Sequence, residues 1–341
     1  MAQNLTQWTN EDSEQLLRKA LVWDAHAGSY TGPGVDLGFA MAWAQRHVDF
    51  ISINVGFDLL APEATRATAE SFHRQSSGLA NSIVLVDSPD DVLRAREQGK
   101  LALAFDIEGA NALGGDPGHV EVFRRLGVRQ MLLAYNLDNA ASGGCHGSGA
   151  GLTAFGRDVI REMNRVGMML DLSHMSERAS LEALNETSRP AVFSHSNAKA
   201  LWNHGRNITS AQMRACASAG GVVGINGIGI FLGNNDASAE TYADHVCYAA
   251  ELVGIKHVGV GMDWGPPLDD APDLMSTVRA NPGYWPPGQS YDLPSIDCMD
   301  VVRLAEVCTH LIHRGWSPAD LEDFLGLNFL RVARETWAPA P

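Results

Sequence analysis

Residues 155–174 read FGRDVIREMNRVGMMLDLSH, one complete step from helix to strand. Val159, Met163 and Val166 fall on one stripe, with Asp158, Arg161 and Arg165 on the other side, so 155–166 is expected to be an amphipathic helix. Gly167 supplies the left-handed stop. A continuous apolar run follows over 168–174 and turns polar only at its end, Asp171-Leu172-Ser173-His174. Continuous rather than alternating hydrophobicity suits a parallel strand covered on both faces.

The same step recurs outward in both directions. Apolar, β-branched runs lie at 21–26, 48–55, 101–107, 130–136, 168–174, 191–195, 221–226 and 257–263, with helical stretches between them. Thr209 is placed to cap a helix over 210–219, which Gly220-Gly221 would end, and Ser317-Pro318 opens a C-terminal helix. Eight βα steps predict a (β/α)8 TIM barrel in a single domain spanning 1–341; a doubly wound open sheet is the competitor. One proline-rich stretch, 265–295, contains Tyr284, Trp285 and Tyr291 and follows the eighth strand. A loop of that length serves either as a lid or binding loop or as surface packing.

Hydrophobic residues make up 45% of the chain, enough for a sizeable core. A net charge of −15 leaves no basic stripe for nucleic acid and disfavours an anionic membrane surface. No apolar run approaches the roughly 20 residues that span a bilayer, and the N-terminus lacks the pattern of a secretory signal. Five scattered cysteines without a C-x-x-C pair read as thiols, so a cytoplasmic protein is expected.

Each predicted strand stops at residues able to bind metal or move protons. The first ends in Asp24-Ala25-His26, the third in Asp106-Ile107-Glu108, the fourth in Tyr135-Asn136, the fifth in His174, the sixth in Ser194-His195 and the eighth in Met262-Asp263. In a barrel these ends open onto one face. Three histidines and a carboxylate converging there suit zinc, with Glu108 able to bridge two ions. A bound ion would bring its water's pKa toward neutrality and make hydroxide available as nucleophile, and Asp263 could shuttle the proton. Histidines 47, 73, 119, 146, 204, 245, 257, 310 and 313 fall elsewhere and read as structural or surface residues. There is no G-x-S-x-G elbow, P-loop or H-E-x-x-H, and the glycine cluster 143–149 reads as an active-site loop.

The segments GLTAFGRDVIREMNRVGMMLDLSHMS (151–176), PAVFSHSNAKAL (190–201) and HGRNIT (204–209) resemble the renal or membrane dipeptidase family, the M19 metallopeptidases. FDIEG (105–109), GGVVGING (220–227), HVGVGMDWG (257–265) and NFLRV (328–332) extend the likeness over about residues 20–335. The resemblance implies a zinc-dependent barrel enzyme that hydrolyses dipeptides, often with a D-residue at the C-terminal side, and usually a homodimer. It implies that His26 and Glu108 serve the first metal, and that Glu108 bridges to a second held by His174 and His195. Arg206 would grip the substrate carboxylate and Asp263 would handle the catalytic proton. Tyr135, with Asn136 beside it, stands where the family has a histidine that contacts substrate and oxyanion; a phenol can still donate there. Two further departures matter. Gly28 stands where the first motif has a metal-binding aspartate, which weakens one of the two sites and leaves open one ion or two, and Asp24 substitutes only if turned inward. Gly265 replaces a second family aspartate. A metal-dependent dipeptidase is the first expectation. A hydrolase of another small amide or ester, or a binding protein with a degenerate metal site, are the alternatives.

Overall fold

The computed structural model describes residues 7–28, 30–267 and 274–338. Its strands are β1 (Trp23–Ala27), β2 (Phe50–Phe57), β3 (Ile83–Leu85), β4 (Leu101–Glu108), β5 (Val128–Leu132), β6 (Met169–Asp171), β7 (Val223–Ile225) and β8 (Val258–Val260). They pair in parallel in the order β6-β5-β4-β2-β1-β8-β7, with β3 attached to β4 outside that path. The first and last strands are neighbours, Asp24 opposite Val260. The order runs round in sequence, without the reversal that a doubly wound sheet requires. The result is an α/β fold whose parallel sheet curls in the manner of a TIM barrel.

The expected strand at 191–195 survives only as two bridges, Asp171 with Val192 and Phe193 with Val223. These bridges span the gap between β6 and β7. Several strands also stop short of the sequence reading, and the reason is local. Asn136, His174 and Asp263 have φ of 59°, 64° and 54°. A left-handed residue takes the backbone out of the ladder, and it costs energy for any residue but glycine. All three lie at the cavity described below. The short β3 was missed because three residues carry no periodicity.

The helices follow the capping signals. Ala154–Val166 starts at Thr153 and ends at Gly167, whose φ of 76° only a residue lacking Cβ adopts freely. Thr209 and Gln212 form a capping box on Ser210–Ser218, and Ser317 and Asp320 form another on Pro318–Glu322. The far C-terminal helix, Asn328–Thr336, closes the end at which the strands begin: Phe329 and Trp337 pack with Trp23 and Phe50, whose ring centroids lie 3.7 Å apart. This aromatic cluster covers the strand N-termini and leaves the strand C-termini for chemistry.

Of the proline-rich stretch, residues 268–273 lie outside the described residues. The rest is not wholly irregular, since it contains a helix over Leu274–Ala280. From there the chain crosses the strand C-termini, burying Val278, Trp285 and Tyr291 against Ile230 and Phe231.

Candidate metal centre and active site

Three of the predicted ligands come together around one carboxylate oxygen. Glu108 Oε1 lies 3.1 Å from His174 Nε2 and 3.3 Å from His195 Nε2, and the two imidazole nitrogens are 3.0 Å apart. His26 stacks on His195 with ring centroids 3.9 Å apart, and its Nε2 is 3.8 Å from Glu108 and 3.5 Å from Asp263. One donor atom from each of His26, Glu108 and His195 fits within a 4.8 Å span.

The hydrogen-bond network sets the tautomers. Asn136 Nδ2 donates to the Tyr284 carbonyl at 2.9 Å, which turns Oδ1 toward His174 Nδ1, 2.7 Å away. Nδ1 therefore carries the proton and His174 Nε2 is bare of one, its lone pair accepting from Arg206 Nε at 3.1 Å. On the other side Ser194 gives its hydroxyl proton to Asp171, so its oxygen, 2.6 Å from His195 Nδ1, accepts from the ring. His195 Nε2 is bare as well. Two lone pairs and a carboxyl oxygen thus face one another, and no donor is aligned on Glu108 Oε1. Arg206 Nε reaches one corner of this set, at His174 Nε2, and a divalent ion at its centre would pair with all three atoms. Ligands about 2.0 Å from a tetrahedral ion stand about 3.3 Å apart, so the spacing fits a small divalent ion.

The electrostatics agree. Burial, reinforced by the Arg206 charge, holds His174 and His195 well below the usual imidazole range, hence neutral and able to ligate. Burial lifts Glu108 to about 8. His26 moves the other way: although burial opposes it, Asp106 and Glu108 hold its pKa well above normal. The pocket of carboxylates draws in a positive charge.

The remaining residues divide. Asp263 reaches the cavity; burial raises its pKa, and Asn226 steadies Oδ2 from 2.9 Å. Tyr135 stacks on His174 with centroids 4.3 Å apart, and burial lifts its phenol well above the ordinary value, keeping the proton available for donation. Asn136 lines the cavity, with its amide oxygen and nitrogen engaged by His174 and Tyr284 as described. Arg206 is buried: Nε donates to His174 Nε2 at 3.1 Å and Nη2 to the His195 carbonyl at 2.9 Å. Asp24 does not stand in for the missing ligand, since its oxygens accept from Met262 N (2.9 Å) and the Trp43 indole (3.1 Å). At Gly28, a Cβ would sit 2.8 Å from the Asp263 carbonyl oxygen, and a Cβ on Gly265 would sit 2.5 Å from that of Gly28. The two glycine departures are therefore one seam of touching backbones.

Sequence reasoning gave no role to Asp171, Ser194, Asn226 or Asp106. Asp106 lies 3.3 Å from His26 Nδ1 and accepts from Ser52 at 2.7 Å. Their common signal is a polar residue inside or ending an apolar run. His146 and His204, read as structural or surface residues, hold the segment that contributes Tyr291 to the cavity: His146 bonds the Tyr291 hydroxyl at 2.9 Å and His204 the Gln289 carbonyl at 2.8 Å. The cavity measures about 420 Å³, polar at its floor and apolar at its walls, where Phe57, Ile230, Phe231, Val278 and Trp285 line it.

The family model for membrane dipeptidase (peptidase family M19) matches residues 40–279. The chain belongs to the M19 family. Dipeptidase tcpJ of Claviceps purpurea is 33% identical over 252 residues, which are 72% of this chain and 53% of that protein. An uncharacterized dipeptidase of Schizosaccharomyces pombe is 34% identical over 265 residues, 75% of this chain and 58% of its own length. The match thus spans little more than half of these curated M19 relatives. Among solved structures, an amidohydrolase from Pseudomonas aeruginosa superposes with a TM-score of 0.85 at 25% identity, covering 95% of this chain and 99% of its own. A metallopeptidase from Rhodobacter sphaeroides, liganded with a phosphinate mimic of the dipeptide L-Ala-D-Ala, gives a TM-score of 0.73 at 20% identity over 93% of this chain and 99% of its own. At that identity it speaks for the shared fold alone.

Proposed function

We propose that this M19 protein is a metal-dependent dipeptidase, active as one barrel domain over 1–341 and using zinc. The observation that carries the reading is the meeting of Glu108 Oε1, His174 Nε2 and His195 Nε2 within 3.3 Å. When bound, a divalent ion supplies a water of lowered pKa and polarises the scissile carbonyl. Glu108, His174 and His195 would hold it, with His26 placed for a neighbouring position that lacks a carboxylate at Gly28; a single ion is the simpler occupancy. Asp263 accepts a proton at Oδ1 and returns it to the leaving amine. Tyr135 donates its phenolic proton to the oxyanion in place of a histidine. Ligation by His174 takes the lone pair that Arg206 Nε now uses, and that N–H becomes free for a substrate carboxylate. A D-residue at the C-terminal side, a homodimer and a cytoplasmic location complete the reading; they rest on family habit and on five free thiols. Among the described residues, no helix is long and apolar enough to cross a membrane.

The cavity favours a second reading in one respect. None of the described residues lining it is a lysine or arginine, while Glu108 and Asp263 both face it. A small amide or ester without a free carboxylate suits such a wall. Metal content and a panel of L,L-dipeptides, L,D-dipeptides and N-acyl amino acids, assayed before and after chelation, decide among these readings. The dipeptidase reading expects bound metal, turnover lost on chelation, and a loss of about 10²–10⁴-fold in Asp263→Asn. Turnover that survives chelation sinks the mechanism, turnover confined to N-acyl substrates moves the assignment to the second reading, and near-zero metal points to a binding protein.

A further inference from the structure

We propose that Asn136 is a positioning residue that couples the seating of segment 281–296 to the metal-ligating nitrogen of His174. The inference rests on the metal reading above. Asn136 lies between two partners remote in sequence. Its amide N–H reaches the Tyr284 carbonyl at 2.9 Å, and its amide oxygen takes the His174 Nδ1 proton at 2.7 Å. The first contact decides the second. A carbonyl only accepts, so with the segment in place the NH2 group must face Tyr284 and the oxygen must face His174. The imidazole then has one allowed tautomer, with the Nε2 lone pair beside Glu108 and accepting from Arg206 Nε, which favours the same form.

The segment is seated by contacts independent of Asn136. Tyr291 bonds His146, Gln289 bonds His204 and, through its side chain, the Gly205 N–H at 2.7 Å, and Trp285 and Tyr291 are buried against Ile230 and Phe231. Tyr135 adds a packing link: its ring stacks on His174 and meets Trp285 edge-on, with centroids 6.0 Å apart. Asn136 adopts a left-handed backbone, φ 59°, and His174 does the same at φ 64°. Strain of that kind persists where the surroundings over-determine the conformation. If the segment lifts, the amide is free to flip and present NH2 to Nδ1; the Nδ1 proton then loses its acceptor, and the ligating tautomer is left to Arg206 Nε alone. By linkage, an ion on Nε2 favours the seated segment. The Tyr284 carbonyl therefore links the seating of the segment to the presence of the ion.

Zinc affinity, measured by competition with a chromophoric chelator, and hydrogen exchange of peptides spanning 281–296 test this on the full-length protein. In wild type, zinc should slow exchange across the segment. Asn136→Leu removes both contacts and should weaken zinc by about 10–100-fold. Asn136→Asp keeps an acceptor for His174 Nδ1 but turns an anion toward the Tyr284 carbonyl. It should bind zinc within about threefold of wild type and lose the zinc-dependent protection. Wild-type affinity in Asn136→Leu, or undiminished zinc-dependent protection in Asn136→Asp, would overturn the coupling alone. A wild-type protein that takes up no zinc would overturn the metal reading and the coupling with it.

Discussion

His195 and His174 offer the same nitrogen to the same carboxylate oxygen, yet they are held by opposite means. His195 is supported from within the sheet. Ser194, its chain neighbour, and Asp171, at the end of β6, are 0% and 2% exposed, and Asp171 also accepts the backbone N–H groups of Ser173 (2.9 Å) and Ser194 (3.0 Å). His174 is supported from outside, by a loop asparagine whose own anchor is a carbonyl 148 positions further along the chain. His195 is thus fixed by the sheet itself, whereas His174 depends on a contact made across the chain. The comparison breaks if the buried side is the softer one. Asp171→Ala strands two buried N–H groups at roughly 1–3 kcal/mol each, a larger loss than a change at the outer support should bring. Urea denaturation measures it, and a loss below about 1 kcal/mol would mean that the interior support is not rigid.

A third region sharpens the contrast, because there neither side chain nor loop supports a ligand. At Gly28 and Gly265 the backbones touch, and the room a carboxylate would need is filled by main chain. Gly28→Asp, which restores the family residue, therefore should not restore a ligand. Overpacking of this kind costs about 1–3 kcal/mol. The variant is expected to melt lower, with a metal stoichiometry unchanged from wild type. An added equivalent of zinc at undiminished stability would show that the seam opens easily and that the lost carboxylate is the whole difference.

The legibility of these regions in the sequence follows the same division. The barrel order, the capped helices and the set His26, Glu108, His174, His195 and Asp263 could be read because each lies at the end of an apolar run, and topology carries such ends to one face. The support of His195 was half visible, since Ser194 and Asp171 stand in those same runs, though nothing in one dimension pairs them. The support of His174 was not visible at all. Asn136 looks like a substrate contact beside Tyr135, and its tie to Tyr284 exists only once the chain has folded back over the cavity. Two glycines 237 positions apart likewise read as separate losses, whereas in space each excludes a side chain from the other.

The smallest expected effect is a pH dependence confined to the outer support. His204 Nδ1 accepts the Arg206 N–H at 3.0 Å, so its proton is on Nε2, donated to the Gln289 carbonyl. Burial, with Arg206 nearby, lowers its pKa to about 4; burial, followed by the charge of His204, lowers that of His146 to about 3. Both rings titrate near 6.5 in an unfolded chain. Between pH of about 6.5 and these folded values, the unfolded or lifted state binds protons that the seated state refuses. The stabilisation is therefore complete above about 6.5 and falls as the pH drops toward 4 and then 3. If the segment lifts without unfolding the sheet, the loss is local and smaller than those above. Hydrogen exchange should show peptides of 281–296 losing protection on acidification while those of β4 and β6 keep theirs. Loss in both regions at one pH would mean that the outer support has no independent motion, and the distinction between the two histidines would go with it.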